Sequence, residues 1–115
     1  MTIKVWCLPK LEEVDLNRLC ESIIAEATSI APLRDAGYEG KDNILVLFVP
    51  DSMTHELGTE ILIEVSGLKP GPDCDSTIRG VLVKRLGELV KQLFPKSGVV
   101  CRAPAPDPRD EEFIC

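Results

Sequence analysis

Aromatic side chains are scarce in this 115-residue chain: one tryptophan, one tyrosine and three phenylalanines make up 4% of it. That supply leaves no row of rings on which successive bases of a single-stranded nucleic acid could stack. Basic residues are outnumbered, 13 lysines and arginines against 19 acidic residues, for a formal net charge of −6. A nucleic-acid backbone or an anionic membrane needs a basic face, so neither is expected as a partner. Histidine occurs once, at His55, and the five cysteines Cys7, Cys20, Cys74, Cys101 and Cys115 contain no Cys-x-x-Cys pair. Such a set does not assemble a structural zinc site, and no metal is expected. No apolar run approaches the roughly 18 residues of a membrane span. The start, Met1-Thr2-Ile3-Lys4-Val5-Trp6, lacks the charged head, long apolar middle and cleavage site of a secretory leader, so a cytoplasmic location is expected. Glycine-rich phosphate or dinucleotide loops, Gly-x-Ser-x-Gly and His-Glu-x-x-His are all missing, and no cofactor is expected.

What is present is one pattern used twice. Thr2 to Leu8 alternates, with Ile3, Val5 and Cys7 to one side and Lys4, Trp6 and Leu8 to the other, as in a half-buried strand ended by Pro9. A helix follows from an Asp15 cap to about Ala31, with Val14 and Leu19 as a hydrophobic staple. Its apolar stripe is Leu16, Leu19, Cys20, Ile23, Ile24, Ala27 and Ile30, and Pro32 stops it. Residues Leu33 to Asp42 read as a polar loop, and the continuous apolar run Ile44 to Val49 as a central strand covered on both faces. A third strand, Glu60 to Val65, alternates again, and a second helix runs from a cap at Asp75 or Ser76 to Phe94. Its stripe is Ile78, Leu82, Leu86, Leu89, Val90 and Leu93, with Gly80 and Gly87 seven residues apart on one face. Val99 to Cys101 form a short fourth strand. One domain over residues 1–102 is expected, with 103–115, which hold three prolines and four acidic residues, as an extended tail.

Cys7, Cys20 and Cys101 fall on half-buried elements, where cysteine is usually an inert core residue. Cys74 precedes a helix whose N-terminal dipole would lower a thiol pKa.

The order βαββαβ is an α+β layout with two common solutions. A ferredoxin-like domain, an interaction or ligand-sensing module, joins its middle strands as an antiparallel hairpin. The alternative sets two parallel βαβ units around a pseudo-twofold axis. The link from Asp51 to Thr59 exceeds the two to five residues of an ordinary hairpin, which favours the second.

The stretch Phe48-Val49-Pro50-Asp51-Ser52-Met53 resembles the Val-Pro-Asp-x-x-Met segment of the migration inhibitory factor branch of the tautomerase superfamily. Ser66-Gly67-Leu68, and the later helix with Arg85-Leu86, are similar to that branch too. The resemblance spans Thr2 to Arg102 and implies a tautomerase-like sandwich that assembles as a homotrimer, with Trp6, Leu8 and Leu62 on the face that subunits share. It also implies keto–enol interconversion of a small anionic enol or 2-oxo acid. In that family an amino-terminal proline is the acid–base group and cationic side chains hold the substrate carboxylate.

Thr2 stands where that proline would be. Threonine is small enough for Met1 to be removed, which leaves a primary amine with an ordinary pKa of about 7.7 to 8.0. Thr2 is therefore the candidate catalytic residue, and Lys41, Arg34 and His55 are the candidate substrate-binding residues. A non-catalytic trimeric binding protein on the same scaffold is the competing reading. Lys4 is placed to pair with Glu60 or Glu64 as a structural ion pair.

Overall fold

Alternation in two short segments decides the core of this protein, whose computed structural model describes residues 1–38, 43–49, 60–68 and 76–104. In β1 (Thr2–Trp6) Ile3 and Val5 are fully buried, and in β3 (Glu60–Ser66) Ile61, Ile63 and Val65 are buried in the same alternating way. Successive strand side chains point to opposite faces, so these five residues form one apolar face. β1 and β3 pair antiparallel at the centre of a four-stranded sheet, with Lys4 directly opposite Glu64. β2 (Leu45–Val49) adds parallel to β1 and β4 (Gly98–Arg102) adds parallel to β3, giving the order β2-β1-β3-β4. β1 separates β2 from β3, so the hairpin that a ferredoxin-like layout requires is not formed. Cys7 leaves β1 at φ 64, which re-aims the chain after its N–H donates to the Val49 carbonyl at 3.2 Å.

Two long helices cover the apolar face. In α1 (Glu13–Thr28) Leu19, Ile23 and Ala27 are buried, and in α3 (Ser76–Leu93) Leu82, Leu86 and Val90 are buried. A spacing of four keeps each set on one helical stripe. Burying one such leucine contributes about 1.5–3 kcal/mol. α1 starts earlier than the Asp15 cap anticipated: Glu12 takes the cap position without a side-chain cap bond, and Glu13 and Asp15 lie in the first turn, where the helix dipole favours negative charge. Val14 is 58% exposed, so the expected staple with Leu19 does not form. At the other end the Thr28 and Ser29 hydroxyls donate to the carbonyls of Ala25 and Glu26, and Arg85 Nη1 reaches Ser29 Oγ at 3.0 Å, tying α3 to the end of α1. Of the two helical glycines, Gly80 faces open space and a Cβ at Gly87 would lie 3.8 Å from that of Cys101.

The loop expected from Leu33 to Asp42 is in part helical. α2 (Ala31–Asp35) holds in its first turn the proline read as a stop, because the fixed φ of Pro32 suits a first helical turn. It closes through two bonds, Gly37 N–H to the Arg34 carbonyl and Tyr38 N–H to the Leu33 carbonyl, with Leu33 and Tyr38 both buried. Gly37 sits at φ 103, where a side chain is strained even though nothing lies near the Cβ position. Gly37→Ala should therefore lower stability by about 1 kcal/mol, seen as a lower urea midpoint at unchanged slope.

β2 is not the central, doubly covered strand expected of its apolar run. Among the described residues it lies at a sheet edge, with Leu45 54% and Leu47 38% exposed. A continuous apolar run shows that both faces are apolar without showing what covers them, and the helices cover one. The uncovered face carries Leu45, Leu47 and Val49, with Trp6, Leu62 and Val100 in register beside Val49.

Candidate functional site

The start of β1 is held at a corner formed by three backbone segments. Met1 extends the pairing with β2: its carbonyl accepts from Leu45 N–H at 2.9 Å, and its terminal amine donates to the Asn43 carbonyl at 3.1 Å. Gly67, just beyond β3, closes the third side at φ 73, and a Cβ there would lie 3.7 Å from both Met1 Cα and Thr2 N. Buried Ile44 and Leu68 anchor the flanking segments to the core. Thr2 is half-buried on the uncovered sheet face, with Leu45 and Ser66 as its strand partners. The terminal amine and the amide nitrogen of Thr2 are thus held by hydrogen bonding and close packing.

Of the four residues singled out from sequence, the structure sets Thr2 in this corner. Arg34 lies on α2, exposed, where its backbone carbonyl helps to close the helix. Lys41 and His55 lie outside the described residues, as do Cys74 and the tail beyond Pro104. Asn43 and Gly67 were missed as site residues because each acts through its backbone; the signal for Gly67 was its place in the family-like stretch Ser66-Gly67-Leu68.

Cavities lined by described residues lie elsewhere. A groove of about 950 Å³ runs between α3 and β4, with Lys84, Arg85, Glu88 and Lys91 on its walls and Val99 and Cys101 on its floor. Burial pushes the Cys101 thiol from 9.0 up to about 12, so it is protonated at neutral pH and is no nucleophile. Since this raised value penalises the thiolate, its effect on stability is constant below pH 9 and becomes unfavourable as pH rises from 9.0 toward 12. A smaller cavity lies at the far end of β1. Among the described residues no group of three or more His, Cys, Asp or Glu side chains is placed to hold a metal ion, and no helix is long and apolar enough to cross a membrane.

No family model matches the chain, and no curated protein does. Solved structures do. The chain is similar to macrophage migration inhibitory factor of Toxoplasma gondii at TM-score 0.60 and 12% identity, over 100% of this chain and 96% of that one. It is similar to Pt0534, inactivated by 2-oxo-3-pentynoate, at TM-score 0.63 and 14% identity, over 92% and 86%. A fused 4-OT in a symmetric trimer aligns at TM-score 0.55 and 14% identity, over 91% and 86%. At these identities the likeness is one of fold, and the fold is that of the tautomerase superfamily.

Proposed function

We propose that this protein is a weak keto–enol tautomerase of small enol or 2-oxo acids, with the α-amine of Thr2 as its acid–base group after removal of Met1. The observation that carries the reading is the 2.9 Å bond from Leu45 N–H to the Met1 carbonyl, beside the amine's bond to Asn43. Once Met1 is gone, the Leu45 N–H loses its acceptor at the point where the new amine begins. A substrate carboxylate or enolate oxygen can take that donor while the amine faces the adjacent carbon. In the enolising direction the amine takes a proton from the carbon next to the 2-oxo group, leaving the enolate, whose oxygen the Leu45 N–H can hold until it takes a proton from water to give the enol; in the reverse direction water removes the hydroxyl proton and the ammonium returns its proton to the carbon. Gly67, without a side chain, leaves room for the substrate beside Thr2 N. Arg34 or Lys41 is the carboxylate anchor in this scheme, with His55 a further contact. The reaction of Pt0534 with a 2-oxo acid supports this substrate class.

A homotrimer belongs to the same reading. Its support is the uncovered sheet face, where Leu45, Leu47, Val49, Trp6, Leu62 and Val100 adjoin the Lys4–Glu64 pair, and the trimeric fused 4-OT. Leu47 lies opposite Lys4 in the β1–β2 register, so Leu47→Lys sets two ammonium groups side by side on that face. The substitution forfeits about 2 kcal/mol of apolar burial at each interface. It should give folded monomers by native mass spectrometry. Residence in the cytoplasm completes the reading, supported by the free thiols of Cys20 and Cys101.

The test is the native mass spectrum of protein made without an amino-terminal tag. A trimer without Met1 is expected; a monomer or dimer would remove the assembly. A trimer that keeps Met1 would favour a second reading, a non-catalytic binding scaffold, to which threonine in place of proline and the Met1–Leu45 bond already lend support.

A further inference from the structure

The opposite end of β1 from the amine holds a half-open cavity. A cavity of about 320 Å³ opens where the carboxyl ends of the parallel strands β1 and β2 meet the start of α1, lined by Val5, Leu8, Leu11, Leu16 and Phe48, among others. The carboxyl ends of parallel strands are where open α/β sheets commonly take ligands. The volume falls at the lower end of the range for small-molecule sites, and the lining has their usual composition of apolar walls with few polar groups. Among the described residues that line it, Lys10, exposed, is the one that carries a charge.

The chain is bent to make this space. Cys7 adopts φ 64, a conformation that costs a non-glycine residue of order 1 kcal/mol, and it is this turn that carries Leu8, Pro9 and Lys10 around the cavity. A straight continuation of β1 would carry Leu8 onward along the sheet and leave this end open. Strain held next to a formed apolar cavity points to a use for the cavity.

The geometry points to a second ligand site for a small monocarboxylate with an apolar body, medium-chain or arylalkyl, whose hydrocarbon fills the space between Phe48 and Leu16 while its carboxylate meets Lys10. Among the described lining residues, a single cation on an otherwise apolar wall matches one anionic head on an apolar body, and a dianion or a sugar would leave polar groups without partners. The site lies on the order of 15 Å from the amine corner, the length of β1, so it does not depend on the chemistry proposed there.

The experiment is a titration of the untagged full chain with 4-phenylbutyrate, followed by backbone amide NMR, with 4-phenylbutanol as the uncharged counterpart. Saturable shifts centred on Leu8, Leu11, Leu16 and Phe48 are expected. Lys10→Ala should weaken the acid about fivefold, the upper end for an exposed ion pair, and leave the alcohol unchanged. Leu16→Trp should fill the cavity and abolish both; thermal unfolding by circular dichroism verifies that this variant is folded, and Leu16→Phe serves if it is not. No saturable shift at millimolar ligand would overturn the site. So would shifts confined to Thr2, Ser66 and Gly67, which would assign the ligand to the amine corner. Equal weakening of acid and alcohol by Lys10→Ala would overturn the carboxylate assignment.

Discussion

Acylating the α-amine of the processed chain should lower kcat/KM for ketonisation of phenylenolpyruvate by on the order of a hundredfold or more, the usual contribution of a positioned acid–base group. The amine is the one acid–base group that the described corner offers: Gly67 contributes backbone only, and the Asn43 carbonyl and Leu45 N–H that Met1 vacates bind without exchanging protons. The rate in the enolising direction should rise with pH through the ordinary range of a primary α-amine, about 7.7 to 8.0, because the base must be unprotonated. Thr2→Pro should raise the rate further, since a ring fixes the amine's direction and leaves the strand pairing from Ile3 onward in place. Unchanged turnover after acylation would move the chemistry away from Thr2. An unaltered rate in Thr2→Pro would instead indict the rest of the pocket.

Leu82→Ala should destabilise the fold by about 3 kcal/mol and lower Tm by roughly 12 °C. Leu82 is fully buried, and with Leu86 and Val90 it forms the stripe by which α3 covers the sheet. Truncation removes the transfer energy of the lost carbons and leaves a void that the packed neighbours close only in part. Calorimetry on the variant measures the effect. A shift of only one or two degrees would mean that α3 slides to fill the space, so that its seat against β4 and α1 is loose.

Much of this architecture could be read from hydropathy period alone. Ile3 and Val5, Ile61 and Ile63, and the stripes through Ile23 and Leu86 each follow a period that one conformation satisfies. α2 could not be read in this way, because five residues contain little more than one helical turn and Pro32 is equally a stop and a start. The misplacement of β2 has a different cause. Hydropathy records which faces avoid water, and whether a helix or another subunit meets the second face of Leu45 and Leu47 is decided by the surroundings. Thr2 was legible through its position, whereas Asn43 and Gly67 act through backbone groups that every residue possesses.

Lys4 opposite Glu64 sits at the middle of the five paired positions of β1 and β3. The two βαβ halves are alike in plan, so a nascent or partly opened chain offers two similar strands to any neighbouring copy. Were β1 to pair with β1 of another molecule about the same centre, Lys4 would face Lys4; were β3 to pair with β3, Glu64 would face Glu64. Like charges directly opposite destabilise a ladder while unlike ones support it. One pair of surface charges thus acts as a keying device, biasing each half toward its counterpart and against its own image, and so guarding a repeated architecture from mispairing.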